Sequence, residues 1–303
     1  MHAFPRNESE FEQWFATEDR CVRYLASIRW PGGFHCPRCG SPEAWTTGRG
    51  QFRCTWCDVQ TSVTAGTIFQ GTRKGLRPWL RAMWHLTEVA GGTNASEIQR
   101  MLGLSSYGTA WNWLHKLRRV MVHPTRDRLT GLVEVDEAFA KVHEPKRSYR
   151  AFGRGTLLIV AVADSAGRTG RIRLLRLADG SPQSILRAVR KMAAPPAEIR
   201  ADPWPAYAGL PLMGYRLRTV GPVPRVVGLR PLPMVARVMD ELNGWITGTL
   251  RGAIRPAHLD YYLAEFTFRF NHRLRRTRGK LFSILVRQAL ETAPESGEVR
   301  QEG

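Results

Sequence analysis

Two aspartates, Asp136 and Asp202, stand where a carboxylate could take part in metal-dependent chemistry. Asp136 lies in the run "GLVEVDEAF", whose alternation places Glu134 and Asp136 on one face of a predicted strand. Asp202 ends the short strand-like run 197–202 and is followed by "PWPAY". A charge inside a strand that packs on both faces is costly unless it binds something. Two such carboxylates suit a pair of divalent cations about 4 Å apart in phosphoryl transfer, although each Asp taken alone is also compatible with a turn.

The elements between these aspartates predict that they are neighbours. Residues 131–177 contain three strand-like runs, and a helix beginning at Ser181 and the strand 197–202 follow. A three-stranded meander, a helix and a parallel strand is the order of the ribonuclease-H-like α/β fold, which would lay the strand of Asp202 beside that of Asp136. Helical periodicity then predicts a helical C-terminus, with segments near 232–247, 256–273 and 281–291.

Four cysteines form two C-x-x-C pairs, and the four are Cys36, Cys39, Cys54 and Cys57. Each pair makes a tight knuckle that presents two thiolates to one ion, so two knuckles complete a closed tetrahedral zinc site. No ligand position is left open, which indicates a structural metal rather than a catalytic one. The alternative is a set of redox pairs. The fifth cysteine, Cys21, stands alone on a helical face and is expected in the core.

The segment 94–121 predicts two short helices around a turn. The first, "NASEIQRMLGL", begins at a capping residue and ends at Gly103, and the second begins near Tyr107. The second helix has an apolar stripe, with polar residues largely on its other faces. This is the sequence form of a helix-turn-helix that reads DNA, and an ordinary helical hairpin is the alternative. The predicted DNA contacts on this helix are Asn112, Lys116 and Arg119.

The overall charge favours a polyanionic partner. The chain has 45 Lys and Arg against 26 Asp and Glu, a formal net charge of +19. Such a balance is typical of proteins that bind nucleic acid, although some soluble proteins are merely basic. No apolar run approaches the roughly 20 residues that a membrane span needs. The start, "MHAFPRNESEFEQWF", is unlike a signal peptide, so we expect a cytoplasmic protein with no membrane partner.

From about residue 20 to 291 the chain resembles the zinc-ribbon DDE transposases of bacterial insertion sequences, with an ISXO-type DDE domain. The stretches that carry the resemblance include "CPRCG", "TSVTAGTIF", "TAWNWLHKLRRVM", "VEVDE", "ADPWPAYAGLPLMGY", "MDELNGWITGTLRGAI" and "HLDYYLAEFTFRFNHR". The resemblance implies a ribonuclease-H-like catalytic domain that uses Mg²⁺ or Mn²⁺ for DNA end cleavage and strand transfer. It places the first two metal ligands at Asp136 and Asp202. It also implies a bacterial, nucleoid-associated protein that binds terminal inverted repeats and target DNA as a homodimer.

The third catalytic position departs from the family pattern. The family has an Asn on the next helix, a Glu three residues later and a basic residue seven beyond that. Here these positions fall on Asp240, Asn243 and Leu250, with Arg251 adjacent. In one alternative Asp240 supplies the third ligand with Asn243 beside it, since residues three apart share a helix face. In the other, the copy is catalytically degraded and acts only as a zinc-dependent DNA-binding protein, with Asp240 a solvated helix residue.

The helix "YYLAEFTFRFNHR" carries further family features. Its Glu265 and Arg269 form a favourable i,i+4 pair, to which the resemblance gives a supporting or DNA-gripping role, and a surface ion pair is the alternative. The following tail, "RFNHRLRRTRGK", has six Arg or Lys in 12 residues. It predicts phosphate contacts from Arg273, Arg275 and Arg276, or else a solvated basic tail.

These patterns together predict a multidomain chain. The predicted parts are an N-terminal helix at 1–30, a zinc ribbon at 31–70, a helix-turn-helix region at 71–125, a ribonuclease-H-like DDE-type domain at 130–291 and a disordered tail at 292–303. The leading functional hypothesis is a DNA transposase, and a DNA-binding protein without catalysis is the second.

Overall fold

A computed structural model describes residues 4–47, 50–88, 91–122, 128–140, 156–221, 231–248, 254–274 and 277–294. The segment 141–155, the Leu250–Arg251 positions, Arg275 and Arg276, and the tail beyond 294 lie outside these residues. The chain divides into two compact units, Met1–Val120 with Arg275–Gly303, and Met121–Leu274. In the described part, no helix has both the length and the apolar character that crossing a membrane requires.

The N-terminal segment forms two helices where the sequence predicts one. Helix α1 spans Glu8–Trp14 and α2 spans Glu18–Arg29. The break occurs because the extended Thr17 accepts a hydrogen bond from the Arg20 amide at 3.4 Å and so caps α2. Helical spacing of apolar residues continues across the break, so periodicity alone does not reveal it.

The four-cysteine region forms a small antiparallel sheet. Strands β1 (Ala44–Thr46), β2 (Phe52–Cys54) and β3 (Gln60–Thr61) pair in the order β1-β2-β3. The rings of Trp30, Phe34 and Phe52 pack together beneath it, with centroids 5.0–5.4 Å apart. This apolar cluster is too small to stabilise such a sheet by itself, so the sheet depends on the site that the cysteines make.

Three helices follow the ribbon: α3 (Leu76–Glu88), α4 (Ala95–Leu102) and α5 (Tyr107–Arg119). Asn94 caps α4 by accepting from the Glu97 amide at 3.0 Å. Gly103 ends α4 with φ of 59°, a left-handed conformation that favours glycine. The predicted pair of helices around a turn is therefore present as α4 and α5.

The last helix, α9 (Arg278–Glu291), packs in the first unit. Its Phe282 is fully buried and lies 5.5–5.9 Å, centroid to centroid, from the rings of Phe11, Phe15 and Trp84. In the sequence this helix falls within the predicted domain at 130–291. Periodicity predicts that α9 has an apolar face, but it does not say which residues cover that face.

The second unit is built on a mixed five-stranded sheet. Its strands are β4 (Leu132–Ala140), β5 (Thr156–Ser165), β6 (Arg168–Arg176), β7 (Glu198–Ala201) and β8 (Arg216–Thr219), in the order β6-β5-β4-β7-β8. Strands β4, β5 and β6 form an antiparallel meander, whereas β7 runs parallel to β4 and β8 parallel to β7. The predicted pairing of the Asp136 and Asp202 strands is confirmed. Strand β8, an edge strand, was not predicted.

Helices cover both faces of this sheet. Helix α6 (Pro182–Met192) packs on one face, in a core that includes Val133, Val135 and Ile199. Helices α7 (Pro233–Gly248) and α8 (Leu259–Asn271) pack on the other face, against Val160 and its neighbours. Because side chains alternate along β4, Glu134 and Asp136 point to the face of α7 and α8.

Candidate active site and zinc site

Asp136 lies on β4, and Asp202 directly follows β7, the parallel strand beside β4. The register of β4 and β7 pairs Val133 with Ile199 and Glu134 with Arg200. Continued by two residues, this register sets Asp136 opposite Asp202, which directly follows β7. Neighbouring strands are about 4.8 Å apart, so the two carboxylates share one site, and both side chains are partly buried.

The electrostatics of this pair favour a bound cation. Burial, and next the negative charge of Asp202, raise the pKa of Asp136 to about 7, and Glu137 adds to the effect. The Glu137 amide, which donates to Asp136 Oδ1 at 2.9 Å, opposes the rise. Two carboxylates that repel each other in a partly buried site are stabilised by a divalent cation between them.

The two carboxylates suit an ion such as Mg²⁺ or Mn²⁺, which can keep water ligands, better than an ion whose ligands all come from the protein. Within the described ranges, the only group of three or more His, Cys, Asp or Glu ligand atoms lying within 4.8 Å of one another is the set of four cysteines. Asp136 and Asp202 therefore belong to no three-ligand group of these types among the described residues. Mg²⁺ commonly keeps several waters and takes only one or two carboxylates from the protein, so the pair fits this ion.

The raised pKa of Asp136 predicts how stability depends on pH. The pKa of Asp136 is about 7 in the folded chain against an ordinary value of 3.8. At a pH between these two values, unfolding therefore releases a proton from Asp136. The contribution of Asp136 therefore lowers the free energy of unfolding as pH rises from about 4, and this loss of stability is complete above about pH 7. We expect Asp136→Asn to raise the free energy of unfolding by roughly 1–2 kcal/mol at pH 8, which is less than the full shift implies because the group is partly solvated.

Urea unfolding of the full chain at pH 5 and pH 8, without divalent cations, measures this effect. The stabilisation by Asp136→Asn should be smaller at pH 5 and should disappear when Mg²⁺ is added. A gain of equal size at both pH values, or a loss of stability at pH 8, contradicts the interpretation.

Helix α7 carries the two residues at the altered third position. Asp240 is exposed and Asn243, one turn later, is partly buried. Both make interactions of their own. Asp240 does not join Asp136 and Asp202 in a three-ligand group within 4.8 Å among the residues described, so the third-ligand role of Asp240 and the role of Asn243 stay predictions.

Glu134 attaches α7 to the strand of Asp136, a role that the sequence analysis missed. Its fully buried carboxylate accepts from the backbone amides of Met234 and Val235 at 2.9 and 3.3 Å, in the first turn of α7. Arg200 lies 3.5 Å from its other oxygen. Burial raises the pKa of Glu134, and the two amides oppose that rise. A carboxylate at a helix N-terminus interacts favourably with the helix dipole, so Glu134 sets where α7 begins.

Removal of the Glu134 carboxylate should destabilise the fold. Glu134→Ala leaves two amides without their acceptor and Arg200 without its ion-pair partner, and we expect a loss of about 2–4 kcal/mol in the free energy of unfolding. Glu134→Gln keeps one oxygen acceptor and should lose less than half of that. Urea unfolding measures both values.

Glu198→Gln is the matched control, because Glu198 is partly exposed and its ion pair with Arg218 spans 3.8 Å. It should change the free energy of unfolding by less than about 1 kcal/mol. Equal losses in the free energy of unfolding for Glu134→Ala and Glu198→Gln would contradict the role of Glu134 in attaching α7.

Glu265 and Arg269 form a buried ion pair on α8. Arg269 donates to Glu265 Oε1 at 2.8–2.9 Å, with the Glu side chain fully buried and the Arg side chain 18% exposed. The pair is therefore not on the surface. Asn271 pairs its amide with the backbone of Ile172 on β6, at 2.7 and 3.1 Å, which fastens the end of α8 to the sheet.

Arg273, a predicted DNA contact, makes several bonds within its own unit. Its guanidinium donates to the carbonyls of Phe270 at 2.8 Å, Gly170 at 3.3 Å and Thr169. It also lies over the Phe270 ring at 4.0 Å, and burial lowers its pKa. Arg275 and Arg276 fall outside the described residues.

On α5, the predicted DNA contacts Asn112, Lys116 and Arg119 are all partly buried. Arg119 donates to the carbonyl of Ala293 at 3.0 Å. His115, on the same helix, is buried, and its ring stacks on that of Trp111 with centroids 3.9 Å apart. Tyr107, the first residue of α5, is exposed, and so are Ser105 and Ser106 just before the helix.

The four cysteines converge as predicted. Cys36 Sγ lies 3.5 Å from Cys57 Sγ, and Cys39 Sγ lies 3.6 Å from Cys54 Sγ. A tetrahedron of thiolates with Zn–S bonds of about 2.3 Å has edges near 3.8 Å, so the donor set fits zinc. Cys21 is buried elsewhere.

Two parts of the chain match known transposase families. Residues 128–271 match the family described as ISXO2-like transposase domain, and residues 16–60 match the transposase zinc-ribbon domain. The chain is also similar to an uncharacterized protein in the transposable element ISH50 of Halobacterium salinarum, with 29% identity over 200 residues. That match covers 56% of this chain and 66% of the relative, just under two thirds of its length.

Proposed function

We propose that this chain, which belongs to the zinc-ribbon DDE transposases of insertion sequences, cleaves DNA at the ends of its element and joins them to target DNA. The observation that carries the proposal is the pair Asp136, on β4, and Asp202, directly after the adjacent parallel strand β7. In this proposal the strand order and the pairing of β4 with β7 belong to a ribonuclease-H-like fold.

Asp136 and Asp202 would hold Mg²⁺ or Mn²⁺, which would supply an activated nucleophile and would stabilise the charge that develops in phosphoryl transfer. Water would attack a phosphodiester at the element end, breaking it into a 3′-hydroxyl and a 5′-phosphate. That 3′-hydroxyl would then attack a phosphodiester of the target, forming a new phosphodiester as the target strand leaves with its own 3′-hydroxyl. The chain's own residues provide position and charge. Glu134 fixes the start of α7, and the Glu265–Arg269 pair supports α8, which is consistent with the burial of both partners.

DNA binding is assigned to three parts of the chain. The zinc ribbon and the exposed N-terminal end of α5, in a helix-turn-helix, would contact the terminal inverted repeats. Basic residues would contact phosphates, which is consistent with the net charge of +19. Because two ends must be brought together, we propose a homodimer on DNA, acting at the nucleoid of a bacterial cell.

A second candidate function is DNA binding without catalysis. The observation that favours it is the third position: Asp240 is exposed, Asn243 stands where the family has Glu, and Asp240 completes no three-ligand group with Asp136 and Asp202 among the described residues. In that case the chain still binds the element ends but cannot cut them.

One experiment separates the two functions. Purified zinc-loaded protein is incubated with labelled duplexes made from the sequences that flank its gene, with Mg²⁺ or Mn²⁺, and nicked and joined products are resolved on a gel. Cleavage at the repeat ends supports the transposase. Binding of the same duplexes without nicking in either metal overturns that function and leaves the DNA-binding protein.

The same assay tests the third position. If Asp240 is a ligand, Asp240→Asn should abolish cleavage while DNA binding persists. Cleavage at the unchanged rate would remove Asp240 from the site. The exposed Glu241→Gln, one residue along α7, is the matched control because its ion pair with Arg237 lies on the helix surface.

A further inference from the structure

A chain of hydrogen bonds through Glu137 and Tyr207 connects Asp136 to Asp202. The Glu137 amide donates to Asp136 Oδ1 at 2.9 Å, and the Tyr207 hydroxyl donates to the Glu137 carboxylate. The Tyr207 amide in turn donates to the Trp204 carbonyl at 3.1 Å, and the Trp204 amide donates to the Asp202 carbonyl at 2.7 Å. These four bonds run from the carboxylate of Asp136 to the backbone of Asp202.

The Tyr207 ring is held firmly enough to act as a fixed point. It is 1% exposed and lies in the core on the α6 face of the sheet, with Val135, Ile199 and Ala201. A buried phenol in such a core needs a hydrogen-bond partner, and here the partner is the residue next to Asp136.

The segment between Asp202 and Tyr207 is short and stiff. A 3₁₀ turn spans Pro205–Tyr207, and Pro203 precedes it. Each proline fixes its own φ, so the position of the Tyr207 ring and the position of Asp202 are tied through few adjustable torsions. A hydrogen bond that holds Tyr207 against β4 therefore also holds the end of β7.

From this network we propose that Tyr207 is a positioning residue, which through Glu137 holds the carboxylates of Asp136 and Asp202 at the separation that binds a divalent cation. The inference rests on the proposed function for the identity of the site. Mutually repelling carboxylates move apart unless other groups hold them. The phenol supplies one donor to Glu137, and a phenylalanine ring of nearly the same shape supplies none.

Cation binding tests this without any need for DNA cleavage. The full-length zinc-loaded protein is titrated with Mn²⁺, and free Mn²⁺ is followed by its electron paramagnetic resonance signal. We expect Tyr207→Phe to raise the Kd for Mn²⁺ roughly tenfold. This is the usual effect of losing a hydrogen-bonding group that orients a metal ligand.

Tyr215→Phe is the matched control. Tyr215 is also buried, at 3% exposed, and its hydroxyl donates to the Ala193 carbonyl at 3.0 Å, away from the two aspartates. Each substitution removes one buried hydroxyl, so the two should lower thermal stability by similar amounts, whereas only Tyr207→Phe should weaken Mn²⁺ binding. Equal Mn²⁺ affinity in the two variants, or no Mn²⁺ binding by the wild type, overturns the inference.

A double-mutant cycle shows whether Tyr207 acts through Glu137. In a Glu137→Ala background Tyr207 has lost its acceptor, so Tyr207→Phe should no longer change Mn²⁺ affinity. In a Glu137→Gln background the amide oxygen still accepts from Tyr207, and Tyr207→Phe should still weaken binding. A full effect of Tyr207→Phe in the Glu137→Ala background contradicts the proposed route.

The cleavage assay gives a second readout. The Mg²⁺ concentration that gives half-maximal cleavage should rise roughly tenfold in Tyr207→Phe, and the maximal rate should recover at high Mg²⁺. An unchanged Mg²⁺ requirement overturns the inference. If the wild type cleaves no DNA, the proposed function fails, while the Mn²⁺ titrations still decide the role of Tyr207.

Discussion

Asp136→Asn should abolish cleavage of the element ends while leaving DNA binding intact. The substitution keeps the shape of the side chain but removes the negative charge that, with Asp202, attracts the divalent cation. Loss of that cation removes several kcal/mol of charge stabilisation, and about 4 kcal/mol corresponds to a fall of roughly 10³-fold in rate. Single-turnover cleavage with saturating DNA measures the rate, and gel-shift titration measures the DNA affinity.

The control is Asp260→Asn in the same unit. Asp260 is exposed and pairs with Arg176 at 3.1 Å, so its loss should alter cleavage by no more than about twofold, as expected for a surface ion pair. Asp202→Asn should reproduce the loss seen with Asp136→Asn. Cleavage by Asp136→Asn within tenfold of the wild-type rate is incompatible with a metal-ligand role.

The same substitution links activity to stability. Asp136→Asn should stabilise the cation-free protein at pH 8, because a partly buried carboxylate next to Asp202 is costly when it is ionised. A variant that is more stable but inactive indicates that the two repelling carboxylates serve to bind a ligand and do not stabilise the fold.

Cys39→Ser should remove zinc and unfold the ribbon. Three remaining thiolates leave the tetrahedral site incomplete, and structural zinc contributes apparent binding free energies of about 10–16 kcal/mol to small domains. We expect the zinc content to fall from one ion per chain to a small fraction, with rapid amide hydrogen exchange over β1, β2 and β3. Elemental analysis and hydrogen-exchange mass spectrometry make the two measurements.

Cys21→Ala separates loss of zinc from loss of a cysteine. Cys21 is fully buried and apart from the other four, so this variant should keep one zinc ion and a protected ribbon. Cys39→Ser protein that retains both one zinc ion and slow exchange over the ribbon would show that the fold does not need the metal.

The local chemistry of this protein could be predicted from sequence because its signals are short. In the C-x-x-C pairs the spacing itself brings two sulfurs to one ion, and the four cysteines converge as expected. The order of strands and helix likewise predicted that the strands of Asp136 and Asp202 pair, and they do. The pairing of these two strands can be predicted from the order of the elements because connections between strands follow few topologies.

The sequence by itself therefore predicted the convergence of the four cysteines, the pairing of the strands of Asp136 and Asp202, and the alternation that sets Glu134 and Asp136 on one face of the sheet. Only the tertiary structure decided which partners the buried polar groups have: Glu134 with the start of α7, Tyr207 with Glu137, and Arg273 with backbone carbonyls. It also decided that α9 packs with the N-terminal helices. The physical reason is that periodicity and spacing act over a few residues, whereas a buried hydrogen bond joins groups such as Glu137 and Tyr207 that only folding brings together.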